Sequence, residues 1–159
     1  MTSATLENIP YHVAYAGSDF AGELSEYFRN AVSFFPQQEG SLGARMKHAC
    51  LHLRQKGYRW FIVIGCDCPE RREEDIIETA EWLTAGTDVV LGPVEDGGYH
   101  LAGVNESGLI IFDATQWSTP RLLKETIGVA EEHNLRLNML RFRHDIDTIE
   151  DYRAWKNRS

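Results

Sequence analysis

The chain has 159 residues, 43% of them hydrophobic and 25% charged, with a net charge of −8. This composition fits one globular domain with enough apolar surface to bury a core. The acidity excludes a general nucleic-acid or membrane-surface binder, whose affinity comes from clustered Lys and Arg.

Residues 1–8 carry neither a basic n-region nor an apolar h-region, and no apolar run reaches membrane-spanning length. The expected location is the cytoplasm, with no membrane span. Residues 11–15 read as a strand, and Gly17-Ser18 opens a helix running to about Asn30, with Leu24, Tyr27 and Phe28 on one face. Phe34-Phe35-Pro36 reads as a short edge strand, because Pro cannot donate to a ladder. A loop over residues 37–43 precedes a helix over 44–56, which carries Met46, Ala49, Cys50 and Leu53 at helical spacing and ends at Gly57.

Residues 60–64, Trp-Phe-Ile-Val-Ile, form a continuous apolar run. That pattern predicts a strand covered on both faces in the middle of a parallel sheet, with Asp67 just past its carboxyl end. Pro69 lies near the start of a helix whose early residues Glu73, Glu74 and Asp75 suit the helix dipole, and whose Ile76, Ile77, Ala80 and Leu83 face inward. A short strand over 88–92 and another over 99–104 flank the Gly97-Gly98 break. Trp117-Ser118-Thr119-Pro120 reads as a helix start before the stripe Leu122, Leu123, Ile127 and Ala130. Residues 135–142 alternate as a strand, and Thr148 and Asp151 have capping-box spacing for a last helix. Strand and helix alternate without a repeat or linker, so the expectation is a single α/β domain over 1–159.

Open α/β sheets bind ligands at the carboxyl ends of their strands, where Asp67 and the pair Asp145 and Asp147 fall. Carboxylates meeting there suit Mg²⁺ or Mn²⁺; the alternative is that each caps a helix or a turn. In Glu95-Asp96-Gly97-Gly98, Asp96 either accepts a proton from an acceptor hydroxyl or serves a tight turn. Arg45, early in a helix behind a glycine loop, is a phosphate contact or an ordinary surface residue. Cys50, Cys66 and Cys68 are odd in number and form no disulfide framework. Cys66-x-Cys68 lacks the companions a zinc site needs, so these thiols read as small packing residues. His48 and His52 at i, i+4 lack the intervening Glu of a metalloprotease helix, and Ser118 has no nucleophile-elbow glycines.

Gln38-x-Gly40-x-Leu42-Gly43-x-Arg45-Met46, Ile64-Gly65-x-Asp67-x-Pro69, residues 88–99 with Asp96-Gly97-Gly98-Tyr99, Trp117-Ser118-Thr119, and Asp145-Ile146-Asp147-Thr148 occur in one order. Together they resemble the bacterial glycosyltransferase-A-like proteins of the nucleotide-diphospho-sugar transferase superfamily, relatives of the molybdenum cofactor guanylyltransferases. The resemblance implies a three-layer α/β/α fold with a mostly parallel sheet, binding a nucleotide sugar or a nucleotide through Mg²⁺ or Mn²⁺. It implies glycosyl or nucleotidyl transfer, with Asp67 and Asp147 as metal ligands and Asp96 as the catalytic residue. Gln38, Gly40, Arg45, Gly97, Gly98, Tyr99 and Trp117 are the implied substrate-binding positions. The family opens with a strand and a Gly, Lys and Arg-bearing loop, whereas here about ten residues precede the first strand and no such loop occurs. The expectation is therefore an N-terminally shortened member. The competing reading is a non-catalytic module that keeps the fold and buries its exposed sheet edge in a homodimer.

Overall fold

The computed structural model describes residues 6–17, 21–65, 67–114, 116–146 and 148–158. A 3-10 turn at Leu6–Asn8 leads into β1 (His12–Tyr15), α1 (Ala21–Tyr27), β2 (Ser33–Pro36), α2 (Leu42–Gln55) and β3 (Trp60–Ile64). Then come α3 (Glu73–Thr84), β4 (Val89–Pro93), β5 (Tyr99–Asn105), a 3-10 helix at Ser107–Asp113, α4 (Leu122–Glu132), β6 (Leu137–Met139) and α5 (Ile149–Arg158).

The strands form two sheets. In one, β1 pairs parallel with β2; in the other the order is β3-β5-β4-β6, with β5 antiparallel to both neighbours and β4 parallel to β6. Hence β3, β4 and β6 run in one direction. Only residues 94–98 connect β4 to β5, too few for the crossover a parallel pair requires, so β5 must return antiparallel.

Alternation along β4 builds the two faces of the core. Val89 and Leu91 join Phe61, Ala102, Val104 and Phe112 beneath α2 and α4, while Val90 joins Leu101 and Leu140 beneath Leu83 of α3. Helices cover both faces of the larger sheet, which makes the architecture three-layered.

Several boundaries differ from the sequence expectation for identifiable reasons. Ser118 has φ +59°, a left-handed turn that cannot belong to a helix, so α4 starts at Leu122 instead of near Pro120. Residues 107–113 had no predicted element, yet Leu109, Ile111 and Phe112 are buried, because a 3-10 helix has no amphipathic stripe to read. The run at β3 is a strand, but among the described residues it pairs on one side only, with β5. Residues 18–20, where the first helix was expected to open, lie outside the described residues.

The predicted capping box of the last helix is formed. Thr148 N–H donates to Asp151 Oδ2 at 2.8 Å, and Asp151 N–H donates to Thr148 Oγ1 at 3.2 Å. Thr148→Ala is expected to cost about 1 kcal/mol, read as a drop in Tm of a few degrees.

Candidate active site

Asp67 follows β3 directly and its side chain is exposed. A Cβ at position 65 would overlap the Asp67 carboxylate, so Gly65 is what lets that carboxylate fold back along the strand end. Arg71 Nη1 donates to the Gly65 carbonyl at 2.6 Å, and Ile146 N–H donates to the Asp67 carbonyl at 2.9 Å. The segment following β6 is thereby laid, at Ile146, beside the end of β3. Asp147 and Cys66 themselves lie outside the described residues.

A buried ion pair holds that segment in place. Arg143 donates to Asp75 of α3 through Nη2 at 2.8 Å and Nε at 3.2 Å, while Arg143 N–H donates to the Pro93 carbonyl at 3.1 Å. Burial alone would raise the Asp75 pKa, but the Arg143 guanidinium and the Arg72 N–H hold it below the usual carboxylate value. One residue on, His144 bridges two loops, with Nδ1 2.9 Å from Glu70 Oε2 and Nε2 3.1 Å from Glu95 Oε1. Cys68 is buried, its thiol donates to the His144 carbonyl at 3.4 Å, and burial raises its pKa.

Residues 94–98 form the third wall. Asp96 Oδ1 accepts from Gly98 N–H at 2.8 Å, and Gly97 has φ +88°. A Cβ on Gly97 would run into the backbone of Pro120, while its carbonyl accepts from Leu123 N–H at 2.9 Å, so the turn is docked on the start of α4. Asp96 therefore serves the turn, and its exposed carboxylate also faces the cleft.

Between these walls lies a cleft of about 180 Å³ that includes Glu70, Glu95, Asp96, His144, Asp145 and Asp151 in its lining. Sequence reasoning identified Asp96 and the Asp145 region but passed over Glu70, Glu95 and His144. The available signal was three acids or imidazoles, each within three residues of an already suspect position. So many carboxylates favour a cation and repel a bare diphosphate. Among the described residues, no three His, Cys, Asp or Glu side chains converge on one metal-sized point.

The remaining predicted positions sit elsewhere. Gln38 is exposed and Gly40 has φ +133° in the loop before α2, whose N-cap Ser41 accepts from Ala44 N–H at 3.2 Å. Arg45 Nη1 donates to Gln37 Oε1 at 3.1 Å, and its buried Nε has no hydrogen-bond partner among the described residues. Gln37 also donates to the Ala14 carbonyl at 3.1 Å. Tyr99 and Trp117 stack edge to face at 6.1 Å against the core, with Trp117 also lying against Gly43 of α2.

A three-layer sheet with one antiparallel strand and an acidic crevice at the carboxyl ends of β3 and β4 defines the fold class of the nucleotide-diphospho-sugar transferases. Within it, the chain belongs to the bacterial family described as "Uncharacterized protein conserved in bacteria" (DUF2064), which matches residues 1–119. It is similar to the crystal structure of a candidate nucleotide-diphospho-sugar transferase from Desulfovibrio desulfuricans G20, with 25% identity and a TM-score of 0.83. That match covers 94% of this chain and 67% of the other. Molybdopterin-guanine dinucleotide biosynthesis protein A from Archaeoglobus fulgidus shares the fold at 17% identity and a TM-score of 0.56, covering 92% of this chain and 76% of that one. No curated protein matches the sequence. Among the described residues, no helix is long and apolar enough to cross a membrane.

Proposed function

We propose that this chain transfers a glycosyl group from a nucleoside diphosphate sugar with the help of Mg²⁺ or Mn²⁺. The observation that carries the reading is an acidic cleft lined by Glu70, Glu95, Asp96, His144, Asp145 and Asp151, in a fold similar to that of a candidate nucleotide-diphospho-sugar transferase. Asp67, with Asp147 as its candidate companion from the sequence, is the candidate source of hard oxygen ligands for that ion. One or two carboxylates plus substrate oxygens are the usual protein share of a Mg²⁺ site. Such an ion, when bound, neutralises the diphosphate leaving group.

The chain's own residues have two further tasks. Asp96 is the candidate to accept the proton of an acceptor hydroxyl, and Arg45 with the Gln38-x-Gly40 loop is the candidate contact for the nucleotide. Nucleotidyl transfer to a small phosphorylated substrate is the second reading, favoured by the fold shared with the Archaeoglobus fulgidus protein. The same acids would then act at phosphorus and not at a sugar carbon.

Isothermal calorimetry with Mn²⁺ against a panel of nucleotide sugars and nucleoside triphosphates tests both readings. Metal-dependent binding of one class is expected. Its loss in Asp67→Ala should come with an unchanged Tm, since the Asp67 side chain is exposed. Binding indifferent to metal and to Asp67→Ala would sink the proposal.

A further inference from the structure

Between Glu39 and Asp67 the sequence has no acid, yet it has Arg45, Lys47, Arg54, Lys56 and Arg59. In a chain of net charge −8 this stretch is a basic island. Lys47 is paired with Asp113, and Arg45 donates to Gln37, so the first half of α2 spends its cations within the chain. The end of α2 does not. Arg54, Lys56 and Arg59 lie close together in sequence, and of the three only Arg54 has an acidic partner among the described residues, Glu106.

A groove of about 370 Å³ opens at this place, with Arg54, Tyr58, Arg59, Phe61, Asn105 and Ser107 in its wall. Trp60 pairs with Asn105, so the groove lies at the amino end of β3, the opposite end of the sheet from Asp67 and the acidic cleft. Acceptors at its edge are engaged by the chain itself. The Leu53 carbonyl accepts from Lys56 N–H at 2.9 Å, the Arg54 carbonyl from Gly57 N–H at 2.9 Å, and Asn105 Oδ1 from Gly108 N–H at 3.0 Å. Asn105 Nδ2 donates to Asp88 Oδ1 at 2.7 Å, so both ends of that amide are in use. What remains to face a ligand is donors: the Arg59 guanidinium, the Arg54 nitrogens that Glu106 does not take, and the Ser107 hydroxyl.

We propose that this groove binds a small organic anion, a carboxylate or phosphate group carried on a flat apolar body. Arg59 and Arg54 take the charged group through charge-assisted N–H···O bonds, and Tyr58 with Phe61 takes the body. The volume lies in the range of small-molecule sites. Gly57, also in the wall, has open space where a Cβ would stand, so no side chain from that turn fills the groove. A metal ion or an amine is a poor occupant, because Glu106 is the one acid in the wall among the described residues and Arg54 already holds it. The site stands independently of the transferase reading, at the other end of the sheet.

Amide NMR spectra of the 159-residue chain, titrated in turn with phenyl phosphate, benzoate, benzyl alcohol and inorganic phosphate, test the assignment. One or both ring anions should shift the amides of residues 54–61 and 105–107 saturably, and the tighter of the two identifies the charged group. Benzyl alcohol has the ring without the charge, and inorganic phosphate has the charge without the ring. Each should bind at least about tenfold more weakly, having lost either the charge-assisted bonds or the buried ring. Arg59→Gln should weaken the ring anion about tenfold or more. Its Tm should not change, since the Arg59 side chain is exposed. Four results would overturn the proposal: no saturable shift with either ring anion up to about 10 mM, benzyl alcohol or inorganic phosphate binding as well as the ring anions, shifts centred on the acidic cleft, or Arg59→Gln without effect.

Discussion

Replacing Arg143 by Met is expected to cost about 3–5 kcal/mol of folding stability, because it leaves the Asp75 carboxylate buried without its partner. The pair joins α3 to the strand that carries the cleft's last wall, and both side chains are largely sealed from water, at 6% and 14% exposure. For a chain of this length each kcal/mol moves Tm by about 2–4 °C, so thermal unfolding should show a fall of roughly 6–20 °C. The double variant Asp75→Leu with Arg143→Met should recover most of the loss, since no buried charge is then stranded.

The pH dependence of that loss has a definite sign. The folded-state pKa of Asp75 is held down, so its contribution is present above the unfolded carboxylate value of 3.8 and disappears as pH falls through the lower folded value. The gap in Tm between wild type and Arg143→Met should therefore narrow below about pH 4. A gap that stays constant down to pH 2 would show that Arg143 acts through packing and not through its charge.

Gly97→Ala is the second large effect. A non-glycine residue at φ +88° carries left-handed strain of about 1–3 kcal/mol, and the added Cβ would collide with the Pro120 carbonyl, a backbone group that cannot swing aside. Together these should cost on the order of 3 kcal/mol. The turn must also leave its dock on α4, breaking the hydrogen bond from Leu123 N–H and moving Asp96 out of the cleft wall. Faster hydrogen exchange at residues 94–98 and a lower Tm are the readouts. Gly98→Ala makes the contrast: its Cβ would come 3.1 Å from the end of the Asp96 side chain, which can rotate, so a much smaller effect is expected. Equal effects of the two substitutions would refute the backbone argument.

Local chemistry carried much of the fold. The run at residues 60–64, the helix stop at Gly57, the capping box of Thr148 and Asp151, and the Asp-Gly turn all appear where their residue types place them, since each depends on neighbours within a few positions.

Pairings between distant residues were not legible. A continuous apolar run reports that a strand's faces are covered; it does not report how many hydrogen-bonded neighbours the strand has, so β3 was expected at the centre of a parallel sheet and instead lies beside the antiparallel β5 with one edge unpaired. Asp75 read as a dipole acid at a helix start, yet its main partner is Arg143, 68 residues away. His144 looked like one scattered histidine until folding set it between Glu70 and Glu95. What this chain's sequence settles unaided is the set of elements and the chemical kind of its strand-end residues, because propensity and periodicity are short-range. Which acids share a cleft, which charge is buried with which, and which strand edge lies open are set by packing over tens of residues, and no local pattern encodes that.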